Sequence, residues 1–194
     1  AAPMSGDMEL WVEEKHRVQV AQRFRVRRVL FSKRSRYQDV SVVDTVPLGR
    51  MLLNDGLVML SEADEAVYHE MIAHVPLFLH PAPRRVLVVG GGDGGTVREC
   101  LKHPSVGHVD LVEIDGLVVD AARKYLPSTS ACLSDERVAV RIEDGVKFMA
   151  QAGEPYDVIL IDSTDPIGPA APLFGPEFYE NVRKRLTPEG VVVA

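Results

Sequence analysis

The segment Val86-Leu87-Val88-Val89-Gly90-Gly91-Gly92-Asp93-Gly94-Gly95 decides the fold of this chain. Its first four residues form a continuous apolar run, which is typical of a strand buried on both faces. The glycines that follow allow a sharp turn and let a ligand approach the backbone where the next helix begins. The segment therefore predicts the first strand, turn and helix of a parallel α/β sheet.

Apolar runs and helix-length segments alternate through the rest of the chain. The runs predict four further strands, at 109–112, 138–142, 158–161 and 191–193. The segments between them predict four helices, at 96–102, 117–125, 146–152 and 177–186. This alternation predicts a doubly wound parallel sheet over residues 84–194, with the strand before Gly90 at its centre.

The N-terminal part has a different pattern. Between about 18 and 60, short apolar runs are broken by turn residues, and Asn54-Asp55-Gly56 is a strong hairpin signal because Asp and Gly tolerate positive φ. We therefore expect a small antiparallel β domain over residues 1–60.

A linking segment is expected over residues 61–83. Ser61 precedes acidic residues and predicts a helix N-cap, with the helix running from about 62 to 75 and stopping near Pro76. The stiff tetrapeptide His80-Pro81-Ala82-Pro83 then reads as the joint between the two domains.

Composition and cysteine usage indicate an ordinary soluble globular protein. The chain has 194 residues, a formal net charge of −6 and 46% hydrophobic residues. It has no apolar run of membrane-spanning length and no basic-then-apolar signal, so we expect a cytoplasmic location and no membrane partner. Cys100 and Cys132 are too few for a disulfide framework.

Basic residues are concentrated at the N-terminus. Residues 1–37 hold nine Lys and Arg against four Asp and Glu. Arg23, Arg25 and Arg27 alternate with their neighbours in the rhythm of a strand, which favours a solvated sheet face over nucleic-acid contact. We expect no nucleic-acid partner.

The glycine loop and an acidic residue together predict a nucleoside site. A lone glycine-rich loop also fits a plain turn, but Glu113 ends the second strand, where an acid can accept both hydroxyls of a ribose. Asp93 would repel a pyrophosphate, and Gly90, Gly92 and Gly94 give the Gly-x-Gly-x-Gly pattern of proteins that bind S-adenosylmethionine.

Carboxylates recur at the ends of the later strands. Asp144-Gly145 could take an adenine amino group and leave room for the ring, or Asp144 could cap the next helix. Asp93, Asp162 and Asp165 should converge at the carboxyl edge of the sheet and bind a cation, either a metal or an organic polyamine. No histidine lies in this cluster to indicate a transition metal. Asp165 before Pro166 also fits a simple turn.

Several local motifs of this chain resemble those of one known family. The chain resembles the polyamine aminopropyltransferases, and the bacterial spermidine synthases most closely, from about Trp11 to its last residue. The motifs that carry the resemblance are Tyr37-Gln38, Asp64-Glu65, Tyr68-His69-Glu70, Gly90 to Gly95, Glu113-Ile114-Asp115, Asp144-Gly145, Asp162 to Pro166, Pro169 and Leu173-Phe174.

The resemblance implies a transferase fold and reaction. It implies a methyltransferase-like (Rossmann-like) sheet preceded by a small β domain that carries oligomer contacts, giving a homodimer or homotetramer. The reaction would move an aminopropyl group from decarboxylated S-adenosylmethionine, a cosubstrate, to putrescine. The products would be spermidine and 5′-methylthioadenosine, and no metal or other cofactor would be required.

The resemblance also implies site residues. Those expected to contact the nucleoside are Gln38, Gly90, Gly92, Glu113, Asp144, Gly145 and Pro169. Those expected around the amine are Tyr68, His69, Asp93, Asp162, Ser163 and Asp165. Asp162 would act as the general base.

Two alternatives remain open at this stage. A small-molecule N-methyltransferase would share the glycine loop and Glu113, and a catalytically inactive polyamine-binding homologue would share the whole site. The family chain continues past the fifth strand, so the resemblance implies a domain truncated there. The sequence also leaves open whether putrescine, cadaverine or spermidine is the preferred amine.

Overall fold

The structure is a computed structural model that describes residues 9–16, 19–164, 166 and 168–194. One compact unit ends at Asp64, and a second begins at Glu65. Among the described residues, no helix is both long enough and apolar enough to cross a membrane.

The first unit is an antiparallel sheet in which each strand pairs with the next. Its strands are β1 (Leu10–His16), β2 (Val20–Arg34), β3 (Asp39–Thr45), β4 (Gly49–Asn54) and β5 (Leu57–Ser61). The predicted hairpin joins β4 to β5: Asp55 and Gly56 have φ values of 50° and 80°, and Asn54 pairs with Leu57. Both central residues therefore lie in the left-handed region that a tight two-residue hairpin turn requires.

The basic stripe of β2 is paired with carboxylates of the same unit. Arg25 lies 3.1 Å from Glu9, and Arg27 lies 3.0 Å from Asp44, while Arg23 contacts Glu13. These arginine side chains are more than half exposed, so each pair contributes little stability. They do neutralise part of the positive charge on this face.

The second unit is a parallel sheet with helices on both faces. Its strands are β6 (Arg85–Gly90), β7 (His108–Glu113), β8 (Val138–Ile142), β9 (Tyr156–Asp162) and β10 (Leu186–Val193). Its helices are α1 (Glu65–Leu79), α2 (Gly95–Leu101), α3 (Gly116–Tyr125), α4 (Pro127–Ser130), α5 (Gly145–Ala150) and α6 (Pro176–Lys184), with short 3-10 helices at Ala131–Ser134 and Gly168–Phe174. The strand order β10-β9-β6-β7-β8 places β6 at the centre, as predicted.

Burial on both faces of β6 explains its apolar run. Val86 and Val88 pack into one core with residues of α1, α2 and α3, whereas Leu87 and Val89 pack into another with residues of α5 and α6. Each of these four side chains is at most 2% exposed. Burying a Val or Leu fully contributes about 1.5–3 kcal/mol, so this strand anchors the unit.

Helix α1 differs from the prediction at both ends. It begins at Glu65 because the Ser61 hydroxyl donates to the Asp64 carboxylate at 2.6 Å instead of capping a helix at 62. It continues through Pro76 to Leu79, so the predicted stop was wrong. The apolar residues around the proline explain this, since Ala73 is 0% and Leu77 2% exposed, and their burial outweighs the hydrogen bond that Pro76 cannot donate. This helix, predicted as a link, forms part of the second unit.

Candidate active site

The site lies where the strand order reverses, between the carboxyl ends of β6 and β9. Gly90 at the end of β6 pairs with Asp162 at the end of β9. Gly90 has φ +83°, and a Cβ there would lie 2.0 Å from the Asp162 carbonyl oxygen, so only glycine fits. Open α/β sheets bind ligands in the crevice outside this point.

Two hydroxyl groups hold the Asp162 carboxylate. The Tyr68 hydroxyl donates to Oδ1 at 2.9 Å, and the Thr96 hydroxyl donates to Oδ2 at 2.6 Å. Burial and the neighbouring charge of Asp162 raise the pKa of Tyr68, so its hydroxyl stays protonated and remains a donor. Thr96 was not predicted, because its only signal in the sequence is its place in the first turn of α2.

His69 and Asp93 lie beside this carboxylate. His69 is 3% exposed, and its Nε2 lies 3.4 Å from Asp93 Oδ1. Asp93 Oδ1 also accepts the backbone N–H of Gly95 at 2.8 Å. Burial and the charge of Asp162 raise the pKa of Asp93, against the opposing effects of His69 and the backbone donors. Two carboxyl groups held this close favour a cation between them.

The expectation that the acidic cluster lacks a histidine was wrong. One ligand atom each from His69, Asp93 and Asp162 lie within 4.8 Å of one another. The histidine lies on α1, which packs against α2, so the strand pattern alone did not indicate the contact, whereas the family resemblance did place His69 near the two aspartates. This donor set suits an ammonium group, and its nitrogen and oxygen ligands also suit a metal ion.

Glu113 is the acidic residue predicted to contact the nucleoside. It ends β7, and its two carboxylate oxygens accept the backbone N–H groups of Gly92 at 3.2 Å and Asp115 at 2.9 Å. Burial raises the pKa of Glu113 to about 7, although the two backbone hydrogen bonds oppose the shift. A Cβ at Gly92 would lie 2.8 Å from Glu113 Cγ, so the glycine makes room for this side chain.

Asp144 and Gly145 have clear roles in packing. Asp144 Oδ1 accepts the N–H of Val146 at 2.9 Å and that of Lys147 at 3.4 Å, which caps α5. A Cβ at Gly145 would lie 2.6 Å from Val89 Cγ1, so the glycine lets α5 approach β6. The capping alternative is therefore observed, and a contact of Asp144 with adenine stays a prediction.

The ligand contacts predicted for the remaining residues stay predictions. Gln38 lies in the first unit, in a turn where its backbone N–H donates to Ser35 Oγ at 3.1 Å. Ser163 follows Asp162 and is half-buried, with its hydroxyl donating to the Thr164 carbonyl at 3.3 Å. Asp165 and the side chain of Pro169 lie outside the described residues.

Two family models match the chain in succession. The first is the spermidine synthase tetramerisation domain over residues 10–62, and the second is the spermine/spermidine synthase domain over residues 65–194. Together they account for most of the chain, and the change from one to the other coincides with the boundary between the two compact units.

Individual relatives agree with these models. The polyamine aminopropyltransferase of Shouchella clausii is 50% identical over 187 residues, which cover 96% of this chain and 68% of the relative. The polyamine aminopropyltransferase of Bacillus subtilis is 49% identical over 186 residues, covering 96% of this chain and 67% of the relative. The chain thus spans about two thirds of the length of these curated relatives.

Solved structures share the fold. A spermidine synthase crystallised in complex with the transition state analogue AdoDATO has a TM-score of 0.92 and 44% identity, covering 94% of this chain and 63% of that one. The spermidine synthase of Thermotoga maritima has a TM-score of 0.88 and 42% identity, covering 94% of this chain and 61% of that one. The fold predicted from the sequence is confirmed, as is the resemblance, and the chain belongs to the spermine/spermidine synthase family.

Proposed function

We propose that this chain carries the active site of a polyamine aminopropyltransferase that makes spermidine. The donor is decarboxylated S-adenosylmethionine, the acceptor is putrescine, and the products are spermidine and 5′-methylthioadenosine. The main observation behind this proposal is the Asp162 carboxylate, which lies at the point where the strand order reverses. It accepts hydrogen bonds from Tyr68 and Thr96, and His69 and Asp93 lie beside it. The names of the relatives, and the analogue bound to a related spermidine synthase, support the same reaction.

The chemistry requires a neutral amine. A putrescine nitrogen with a lysine-like pKa of about 10.4 is protonated at pH 7, and removing that proton costs about 4.6 kcal/mol. In the proposed step Asp162 takes the proton and the nitrogen lone pair attacks the aminopropyl carbon next to the sulfonium. The C–N bond forms, the C–S bond breaks, and its electron pair leaves with sulfur as a neutral thioether. Tyr68 and Thr96 orient the carboxylate for this transfer.

The acidic groups also serve to bind the acceptor. Putrescine arrives as a dication, and the buried Asp93 faces the same space as Asp162. An ammonium group there compensates the repulsion between the two carboxylates and favours the ionised form of Asp93. The amine is therefore held by the same charges that prepare it for attack.

Nucleoside affinity should depend on pH through Glu113. Ribose hydroxyls donate hydrogen bonds, so they favour the ionised carboxylate, which predominates only above its raised pKa of about 7. We expect methylthioadenosine to bind about tenfold more tightly at pH 8 than at pH 6, since the ionised fraction rises about tenfold over that interval. Calorimetric titration across this range measures the effect. The Glu113→Gln variant should show a flat profile, and an equally steep profile in that variant would assign the titration to another group.

A second candidate is an N-methyltransferase on the same sheet, because Glu113 and the glycine loop suit ordinary S-adenosylmethionine as well. The complete gene product should be incubated with putrescine and either ordinary or decarboxylated S-adenosylmethionine. We expect spermidine from the decarboxylated donor and no methylated amine from the ordinary one. Methylated putrescine would establish the methyltransferase, and tight binding of both substrates without turnover would establish an inactive polyamine-binding homologue.

We also propose that the protein is a cytoplasmic homotetramer assembled through the first unit. The match to a tetramerisation domain over residues 10–62 supports this, as does the small core of the unit, built around Val26, Val43, Met51 and Leu53. Light scattering of the complete protein at micromolar concentration should give four times the chain mass. A monomer mass would contradict the assembly, and a dimer mass would favour the smaller oligomer.

A further inference from the structure

We propose that Glu65 and Arg98 are positioning residues of the amine site, which fix the tautomer and orientation of His69 and, through it, the place of Asp93. The expected effect on putrescine kinetics rests on the proposed function, whereas the effect on the tautomer and orientation of His69 does not. The four side chains form a continuous series that runs from α2 through α1 to the glycine loop.

Arg98 and Glu65 form a two-point ion pair between α2 and α1. Arg98 Nη1 donates to Glu65 Oε1 at 2.8 Å, and Nη2 donates to Oε2 at 2.9 Å. This geometry fixes the plane of the carboxylate as well as its charge. Burial alone would raise the pKa of Glu65, but hydrogen bonds with Arg98 and His69 outweigh it and lower that pKa. Glu65 is therefore an ionised acceptor.

The ionised Glu65 decides which His69 nitrogen carries a proton. Glu65 Oε2 contacts His69 Nδ1, and because a carboxylate only accepts hydrogen bonds, Nδ1 must be the donor. Nε2 then faces Asp93 Oδ1 at 3.4 Å, and a proton carried either by Nε2 of an imidazolium or by the Asp93 carboxyl joins the two atoms. The ring also lies against Gly95, where a Cβ would come within 2.2 Å of His69 Cε1. His69 thus has contacts on both nitrogens and no room to rotate.

Arg98 is itself held by other contacts. Its Nε donates to Glu99 Oε1 at 2.8 Å, and Nη1 also reaches the Ser128 carbonyl at 3.2 Å. Glu99 is 0% exposed, so this side of the guanidinium is anchored in the interior of the unit. The fixed guanidinium of Arg98 therefore orients the Glu65 carboxylate, and the Glu65 carboxylate in turn orients the His69 ring.

The tautomer can be measured without any activity. In the complete protein labelled with ¹⁵N-histidine, two-bond NMR correlations should show His69 protonated on Nδ1, with the resonance assigned by its loss in His69→Gln. Glu65→Gln should abolish this signature or average it between tautomers. Asp135→Asn is the matched control, since it breaks a two-point pair with Arg137 of 3.0 Å and 3.0 Å that does not touch His69. A neutral Nε2-protonated His69 in the wild type would overturn the proposal.

Steady-state kinetics of the same variants test the expected effect on putrescine binding. Glu65→Gln should raise KM for putrescine about tenfold and lower kcat less than about threefold, because the amine contact at Asp93 is displaced while Asp162 keeps its own partners. The Kd for methylthioadenosine should not change. Arg98→Lys, which keeps the charge and one contact, should retain more of the affinity for putrescine than Arg98→Gln.

Each outcome of these assays is decisive. An unchanged KM in Glu65→Gln, equal losses in Arg98→Lys and Arg98→Gln, or the same losses in Asp135→Asn would reduce the pair to a structural contact. If the wild type forms no spermidine, the proposed function fails, and the NMR result alone still decides whether Glu65 positions His69.

Discussion

Asp162→Asn is expected to lower kcat by about 10²–10⁴-fold at pH 7, the range that general-base catalysis typically contributes. Asn keeps the shape of the side chain, and its one oxygen can accept one of the two hydroxyls of Tyr68 and Thr96 while its NH2 group donates to the other, but it cannot take a proton from the amine. The Kd for methylthioadenosine should stay within about twofold, because Glu113 is untouched. Raising the pH should restore part of the rate, since more of the amine is then already neutral. Steady-state kinetics and calorimetry of the complete protein measure both quantities.

A matched control lies at the opposite end of the same strand. Asp157 Oδ2 accepts the backbone N–H groups of Arg84 and Arg85 at 2.8 Å and 3.0 Å, away from the crevice. Asp157→Asn should cost some stability but leave kcat near the wild-type value. Near-normal turnover of Asp162→Asn at pH 7 would refute its assignment as the base, and Asp165 would then be the next candidate to test.

Glu113→Gln is expected to weaken methylthioadenosine binding by about 10- to 100-fold. Hydrogen bonds to a charged group contribute about 1.5–3 kcal/mol, and the amide cannot accept the ribose hydroxyls with the same charge. The effect on kcat at saturating substrate should be much smaller than that of Asp162→Asn. Calorimetric titration with methylthioadenosine at pH 8 gives the largest contrast, because the wild-type carboxylate is then mostly ionised.

Glu143 supplies the control for this variant. It follows the neighbouring strand β8, and its Oε1 accepts the Gln151 amide at 2.6 Å. Glu143→Gln should leave nucleoside affinity unchanged. If Glu113→Gln lowered kcat while methylthioadenosine bound normally, Glu113 would belong to the chemical step and not to the nucleoside contact.

The strands of the second unit could be predicted because their signal is local. Val86 and Val88 are buried on one face of β6 and Leu87 and Val89 on the other, so the sequence must be apolar throughout. The central place of β6 followed from the alternation of strands and helices, which allows few topologies. The end of α1 was predicted wrongly because it depends on a tertiary contact. The burial of Leu77 outweighed the local effect of Pro76.

The site was predictable only where a motif marks it. Asp162 and Glu113 end apolar runs, so their position at the carboxyl edge follows from the strands that carry them. Thr96 contacts Asp162 at the end of β9, and Arg98 contacts Glu65 of α1, and no local sequence pattern indicates contacts between elements so far apart in the chain. The role of Asp144 could not be predicted for a different reason. A helix N-cap and a contact with a ligand both favour an aspartate at this position, so the sequence does not distinguish them.

The most direct test of aminopropyl transfer is isotopic. The complete protein should be given unlabelled putrescine and decarboxylated S-adenosylmethionine in which the three aminopropyl carbons are ¹³C. Mass spectrometry should find spermidine heavier by three mass units, with one unlabelled methylthioadenosine formed for each. Labelled carbon remaining with the nucleoside, or an amine that gains only a methyl group, would contradict the proposed reaction.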